Sequence, residues 1–204
     1  NLEVSVKRII GGKFLNAGQT CVAPDYVLVP SDKMEEVLRL MEKYVGEMYG
    51  RNPQQSEDFA RVVNNRHFQR ICSLMGEDVR VGGEVAEEDL YIAPTIVVVD
   101  APETHPAMQQ EIFGPILPLV PYETLDEAIA FINERPKPLA LYLFSSSSRS
   151  QRRITHETSS GNLVINDAVV HFALSDLPIG GVGASGKGAY HGSHTYDTFS
   201  HEKG

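Results

Sequence analysis

Cysteine is scarce in this sequence, and several other familiar signals are missing. Only two of its 204 residues, Cys21 and Cys72, are cysteines, so the chain offers neither a disulfide framework nor a Cys-x-x-Cys pair. A reducing, cytoplasmic location is therefore expected. No apolar run reaches the ~20 residues that cross a membrane, and the chain, starting at Asn1, does not open with a signal peptide.

Positively charged residues are also few relative to negatively charged ones. The chain has 18 Lys and Arg residues against 27 Asp and Glu, a formal net charge of −9. A general nucleic-acid or anionic-membrane surface needs the opposite balance, so neither partner is expected. The seven histidines lack metal-ligand spacing with acidic companions, and no metal site is predicted. A glycine-rich turn between a strand and a helix, typical of dinucleotide-binding folds, has no candidate either.

Helical and strand patterns alternate along most of the chain. Helical spacing covers residues 2–15, 32–48, 64–75, 125–133 and 148–158, and β-rich runs cover 26–30, 79–81, 92–99, 116–120, 139–144 and 161–165. This alternation predicts an α/β fold, a mostly parallel twisted sheet flanked by helices, in one domain over 1–204. Gly11-Gly12 is expected to end or kink the first helix. Ser31 is expected to cap the second helix and Gly50 to terminate it, and Thr124 is expected to cap the helix over 125–133.

The stretch with the clearest chemistry is the run from Asn16 to Cys21, Asn-Ala-Gly-Gln-Thr-Cys, which continues as Ala-Pro-Asp-Tyr at 23–26. Cys21 follows a helix exit loosened by glycine, where small neighbours leave the sulfur within reach of a substrate. The thiolate is the nucleophilic form of cysteine. Cys72, in contrast, lies on the inward face of a predicted helix and is expected to be a packing residue.

Two later motifs also carry chemistry. Residues 110–115 read Gln-Glu-Ile-Phe-Gly-Pro, where the ionised carboxylate of Glu111 can accept hydrogen bonds from a diol and the face of Phe113 can shield a planar ring. Residues 178–186 read Pro-Ile-Gly-Gly-Val-Gly-Ala-Ser-Gly, followed by Gly-Ala-Tyr-His-Gly at 188–192. This glycine-rich stretch predicts a folded-back loop. No strand-turn-helix pattern surrounds it, so a phosphate-binding role is rejected.

Together the three motifs resemble the aldehyde dehydrogenase superfamily, most closely its class 3 branch and the coniferyl and fatty aldehyde dehydrogenases. The resemblance implies that Cys21 is the catalytic nucleophile, that Glu111 binds the nicotinamide-ribose hydroxyls and that Phe113 packs beside the nicotinamide. It also implies that the glycine-rich loop lines the aldehyde tunnel. There Ile179 stands where the family usually has Phe, and His171 and Phe172 are candidate wall residues of the substrate pocket.

The same resemblance implies a reaction and a partial enzyme. The reaction is the NAD- or NADP-dependent oxidation of an aromatic or medium- to long-chain aliphatic aldehyde to a carboxylic acid, through a cysteine thiohemiacetal and thioester. Because no dinucleotide-binding domain is visible, the chain is expected to be the catalytic half of such an enzyme and inactive alone. The cofactor would then be bound mainly by the missing half, which would also carry the general-base glutamate and the oxyanion asparagine. The full-length protein is expected to be a homodimer.

Two other interpretations stay open. In a cysteine hydrolase or acyltransferase, Cys21 would pair with a histidine such as His171 or His191 within hydrogen-bond reach. In a non-catalytic interaction module, Cys21 would be buried and would be alkylated no faster than Cys72.

Overall fold

The chain divides into two compact units in the computed structural model, which describes residues 1–204. The first unit is Asn1–Glu123 and the second is Thr124–Gly204. Each is described separately below, and the single catalytic domain expected from the sequence stays a prediction. No helix in the chain combines the length and the apolar character that a bilayer-spanning segment needs.

A four-stranded sheet forms the centre of the first unit. Its order is β1 (Val27–Pro30), β6 (Ile116–Tyr122), β5 (Thr95–Val98) and β2 (Val79–Val81). β1 and β5 pair with β6 in parallel, and β2 joins as an antiparallel edge. Most residues of the two central strands are fully buried, as expected where a parallel sheet is covered on both faces. The predicted α/β class with a mostly parallel sheet is confirmed.

The predicted strand over 92–99 is divided into two. Tyr91–Ile92 forms β4, which pairs with the two-residue strand β3, Val85–Ala86, in a separate antiparallel hairpin. Only after Pro94 does the chain enter β5 of the main sheet. Proline cannot donate a ladder hydrogen bond, so the break falls at the residue least able to continue a strand.

Three α-helices accompany this sheet: α1 (Leu2–Phe14), α2 (Met34–Tyr49) and α3 (Asn65–Leu74). The expected break at Gly11-Gly12 is wrong, because α1 runs unbroken through both glycines. α1 packs on α2, and a Cβ built on Gly11 would lie 3.7 Å from Cε of Met48 in α2. Close helix packing therefore outweighs the roughly 1 kcal/mol that a mid-helix glycine costs.

The start of α2 also differs from the prediction. Ser31–Lys33 forms a 3₁₀ turn before the α-helix, and the Ser31 hydroxyl donates to the Tyr122 carbonyl at 3.2 Å instead of capping. This bond ties the turn after β1 to the end of β6, the neighbouring strand. The other end is as predicted, since Gly50, with φ +78°, terminates the helix.

The second unit contains a parallel pair of strands and three helices. β7 (Ala140–Leu143) pairs with β8 (Asn162–Ile165), and the helices are α4 (Leu125–Asn133), α5 (Ser148–Glu157) and α6 (Gly192–Thr198). α4 has its predicted bounds and its predicted cap, because Thr124 accepts the Glu127 N–H at 3.2 Å. α6 was not predicted. Before it lies the folded-back glycine-rich loop, closed by two hydrogen bonds of 3.0 and 2.9 Å between the backbones of Ile179 and Tyr190.

Candidate active site

Cys21 lies in an irregular loop directly after α1. The loop leaves the helix through three consecutive residues with positive φ, at Asn16, Ala17 and Gly18. The N–H of Ala23 then donates to the carbonyl of Thr20 at 2.9 Å, closing a turn that has Cys21 at its second position. The Cys21 side chain is exposed and its thiol is free, and its backbone N–H has no hydrogen-bond acceptor within the chain. Thiol and N–H are both available to an incoming group.

The side chain of Gln19 holds this loop in place. Its amide nitrogen donates to the carbonyls of Arg61, at 2.9 Å, and Asn16, at 3.1 Å. Its amide oxygen accepts the N–H of Val63 at 3.0 Å. The glutamine of the first motif therefore anchors the cysteine loop to the segment that precedes α3, a role that the sequence alone did not assign.

Gly18 brings the first motif against the second. A Cβ built on Gly18 would lie 2.2 Å from the carbonyl oxygen of Gly114, closer than any side chain could be accommodated. The positive φ of Gly18 would also strain any other residue. The loop of Cys21 and the segment of Glu111 and Phe113 are thus in backbone contact, although they are far apart in the sequence.

Residues Glu111, Ile112 and Phe113 form what we call the Glu111–Phe113 turn. Ile112 is 0% exposed and anchors the turn in the core, whereas the side chains on either side are exposed. Phe113 is held at φ +45°, an unusual conformation for an aromatic residue, with 41% of its surface accessible. From α3, Arg70 donates to the carbonyls of Glu111, at 3.2 Å, and Ile112, at 2.6 Å. The turn therefore exposes a carboxylate and an aromatic ring at positions two residues apart.

Two charged residues beneath the turn were missed in the sequence. Asp25 accepts the N–H of Ile112 at 3.0 Å, and Lys13 is buried, with only 1% of its surface accessible. Burial lowers the pKa of Lys13 to about 8, against the opposing charges of Asp25 and Glu111. The sequence does contain a signal for the burial of Lys13. Lys13 follows the buried Ile9 and Ile10 by four and three residues, a spacing that places it on the inward face of α1.

The ionisation of Glu111 is set by its surroundings. Burial raises the pKa of Glu111, and the nearby charge of Asp25 raises it further, while Arg70 and Lys13 oppose both effects. Burial likewise raises the pKa of Asp25, against Lys13, the Ile112 N–H and Arg70. Two carboxyl groups, those of Glu111 and Asp25, and two cations, Lys13 and Arg70, therefore act on one another's charge at this turn.

The remaining predicted site residues belong to the second unit. His171 is only 5% exposed, neither ring nitrogen has a hydrogen-bond partner, and burial lowers its pKa. Phe172 is 38% exposed and its ring centroid lies 5.7 Å from that of His191. Ile179 is buried, at 1% exposure. The assignment of Ile179, His171 and Phe172 to a substrate pocket stays a prediction.

The surroundings of Cys21 also bear on the two alternative interpretations, the cysteine hydrolase or acyltransferase and the interaction module. No histidine of the first unit hydrogen-bonds the sulfur of Cys21, so within that unit no Cys–His dyad is formed. The interaction-module alternative requires a buried Cys21, whereas this thiol is exposed and the other, Cys72, is half-buried. The exposed thiol favours a nucleophile over an interaction module.

Comparison with known proteins identifies the family. The model of the aldehyde dehydrogenase family matches residues 1–204. Over all 204 residues the chain is 50% identical to aldehyde dehydrogenase family 3 member A2 of Pongo abelii, of which it covers 42%. It is 48% identical to the dimeric NADP-preferring aldehyde dehydrogenase of Mus musculus, of which it covers 45%.

A solved structure of an aldehyde dehydrogenase also matches the whole chain. The substrate-bound state of AldH from Staphylococcus aureus is 48% identical and superposes with a TM-score of 0.96, covering 100% of this chain and 45% of that one. The chain thus spans less than half the length of each of these relatives. With its full length matched by the family model, the chain belongs to the aldehyde dehydrogenase family.

Proposed function

We propose that this chain is the cysteine-bearing catalytic part of an enzyme that oxidises an aldehyde to a carboxylic acid with NAD or NADP. One observation carries the proposal: Gly18 and Gly114 bring the loop of an exposed Cys21 against the turn that presents Glu111 and Phe113. A nucleophile and a surface for the nicotinamide end of the cofactor therefore belong to one site. A cytoplasmic location and a homodimeric full-length enzyme are parts of the same proposal.

The Cys21 sulfur supplies the first step. Its thiolate adds to the carbonyl carbon of the aldehyde, forming a C–S bond and leaving the negative charge on the former carbonyl oxygen. The backbone N–H of Cys21, which has no acceptor within the chain, is a donor for that oxyanion. One well-placed donor of this kind is worth roughly 3–4 kcal/mol in the transition state. Gln19 contributes by holding the loop, and hence the sulfur and the N–H, on residues 61–63.

The Glu111–Phe113 turn fits the nicotinamide half of the cofactor. The ionised Glu111 carboxylate, an acceptor-only group, suits the two hydroxyls of a ribose. The exposed ring of Phe113 offers an apolar face for the nicotinamide. When bound, the cofactor supplies the acceptor for the hydride that leaves the substrate carbon. Cys21 keeps the resulting acyl group as a thioester until water releases the acid and restores the thiol.

The substrate class is proposed to be aromatic or medium- to long-chain aliphatic aldehydes. The walls of the substrate pocket would include Ile179, Phe172 and His171, which belong to the second unit. Phe172 is the most exposed of the three, and Ile179 replaces an aromatic residue with a branched aliphatic one. We therefore expect straight aliphatic chains to be accepted at least as well as flat aromatic ones.

Two proteins test the proposal together. The protein expressed from the complete reading frame is expected to produce NADH or NADPH when given benzaldehyde, hexanal or decanal. The purified 204-residue chain alone is expected to produce none. Activity in the isolated chain would contradict its assignment as a catalytic half. A complete protein that binds neither cofactor and oxidises no aldehyde of either class would overturn the function itself.

A further inference from the structure

The buried Lys13 and the half-buried Asp25 next to the Glu111–Phe113 turn are not explained by the chemistry of Cys21. We propose that Lys13 is a positioning residue that, through Asp25 and together with Arg70, holds this turn in the conformation that receives the nicotinamide ribose. The inference rests on the proposed function, since it needs the turn to bind the cofactor. It adds a residue of α1 that touches neither substrate nor cofactor.

The burial of Lys13 is the first observation. Lysine is almost never fully buried unless an opposite charge accompanies it. On the same helix, Lys7 is exposed and lies over the ring of Tyr44, 5.6 Å from its centroid. Lys13 instead lies 1% exposed on the inward face, among Ile9, Ile10 and Phe14. The backbone places Lys13 beside the turn, since its carbonyl oxygen lies 3.2 Å from a Cβ built on Gly18, the residue that contacts Gly114. An apolar side chain could fill this position without losing hydration, so we attribute the buried charge to the nearby carboxylates of Asp25 and Glu111, which both act on it.

The hydrogen bonds of the turn are the second observation. Asp25 accepts the N–H of Ile112, and Arg70 donates to the carbonyls of Glu111 and Ile112. The backbone of the turn is thus held from two sides by one anionic and one cationic side chain. The Glu111 carboxylate, in contrast, makes no hydrogen bond within the chain and is left free to accept from a ligand. The positive charge of Lys13 favours the ionised form of Asp25, against the burial that raises its pKa, and an ionised carboxylate accepts the Ile112 N–H more strongly than a neutral one.

The charges around Glu111 give the proposal a distinctive signature. Three charged groups face it, each from a different element: Lys13 from α1, Asp25 from the segment before β1 and Arg70 from α3. Lys13 and Arg70 lower the pKa of Glu111, whereas Asp25 raises it. Removing the charge of Lys13 must therefore raise this pKa, and removing the charge of Asp25 must lower it. A general loosening of the turn would not produce shifts of opposite sign.

The test uses the full-length enzyme and direct binding of NADH, followed by its fluorescence between pH 5 and 9. Lys13→Met is expected to weaken NADH binding roughly ten-fold at pH 7. It is also expected to move the pH midpoint of binding upward, as loss of a nearby opposite charge does. The matched control is Lys7→Met on the exposed face of α1, which should leave binding and its pH midpoint unchanged. In turnover, KM for the cofactor should rise more than kcat falls.

Asp25→Asn provides the second arm. Its amide oxygen can still accept the Ile112 N–H, but the negative charge is gone, so the pH midpoint of NADH binding should move downward. If Lys13→Met does not fold, Asp25→Asn is the deciding variant. A pH midpoint of NADH binding that is unchanged or raised in Asp25→Asn overturns the inference. Lys13→Met that binds NADH like the wild type at every pH also overturns it. Failure of the wild type to bind NADH or NADPH would overturn the proposed function, and this inference with it.

Discussion

Gly18 lies directly against the carbonyl of Gly114, so that a methyl group on Gly18 would stand 2.2 Å from that oxygen and 3.2 Å from the carbonyl oxygen of Lys13. The contact is between backbones, which makes it insensitive to side-chain motion. It fixes how far the loop of Cys21 can move from the Glu111–Phe113 turn. The proposed nucleophile and the proposed cofactor surface therefore share a rigid support.

Gly18→Ala is expected to break this support. The added methyl group clashes with backbone atoms that cannot rotate away, and φ of +73° is strained for alanine. Together these effects should lower the free energy of unfolding by about 3 kcal/mol, as measured by urea denaturation of the chain. Gly46→Ala in α2 is the matched control, because nothing lies within 4 Å of its added Cβ. It should stabilise slightly, and equal effects of the two variants would contradict the account.

The two thiols should differ in reactivity. Cys21 is exposed, whereas Cys72 is half-buried and its pKa is raised by burial and by the charge of Glu87. At pH 7.5, iodoacetamide should therefore label Cys21 at least ten-fold faster than Cys72, because only the thiolate reacts. Mass spectrometry of the labelled peptides at timed intervals measures both rates. Equal rates would argue for the interaction-module alternative.

Gln19→Met should loosen the cysteine loop while preserving its shape. The variant loses the bonds from the Gln19 amide to Arg61 and Val63, which should lower the free energy of unfolding by about 1–2 kcal/mol. In the full-length enzyme, kcat should fall because the sulfur is held less firmly. Gln69→Met, which loses an exposed bond to Glu87, is the control and should change neither quantity. A Gln19 variant with wild-type kcat would show that the anchoring bonds are dispensable for chemistry.

The buried Lys13 predicts an alkaline rise in stability. Its pKa is about 8 in the folded chain against a model-compound value of 10.5. Between these pH values the unfolded chain binds more protons than the folded chain, so the contribution of Lys13 to stability increases with pH. Relative to Lys13→Met, the wild type should gain about 3 kcal/mol in unfolding free energy between pH 8 and 10.5. Tyrosines titrate in the same pH range, but their contribution is the same in both proteins and cancels in the comparison. A difference in unfolding free energy that does not change with pH would contradict the lowered pKa of Lys13.

Local signals in the sequence were sufficient for part of the fold. Thr124, followed by a run rich in alanine and isoleucine, located α4 to the residue, and Gly50 located the end of α2. The errors came from contacts with distant segments. Gly11-Gly12 stays helical because α2 packs on α1, and Ser31 lies in a 3₁₀ turn before α2, where its hydroxyl donates to the Tyr122 carbonyl. Local propensity could not have revealed either partner.

The candidate site, like the fold, could be predicted only in part from the sequence. Cys21, Glu111 and Phe113 were predicted as site residues because their motifs resemble those of the aldehyde dehydrogenase superfamily, and their roles stay predictions. Lys13 and Asp25 could not be assigned a role, because a buried lysine is only explained once the carboxylates opposite it are placed. The Gly18–Gly114 contact likewise joins two segments that are far apart in the sequence, one before β1 and the other between β5 and β6. The candidate residues could therefore be named from the sequence, whereas the charges and contacts around them required the structure.

The most direct test of the central claim is the steady-state kcat of Cys21→Ser in the full-length enzyme, measured as aldehyde-dependent NADH or NADPH formation beside Cys72→Ser. If the Cys21 sulfur carries the substrate carbon, kcat falls by about a thousand-fold or more in the first variant and stays at the wild-type value in the second. A Cys21→Ser enzyme that keeps its turnover within a factor of about two of the wild type would contradict the account.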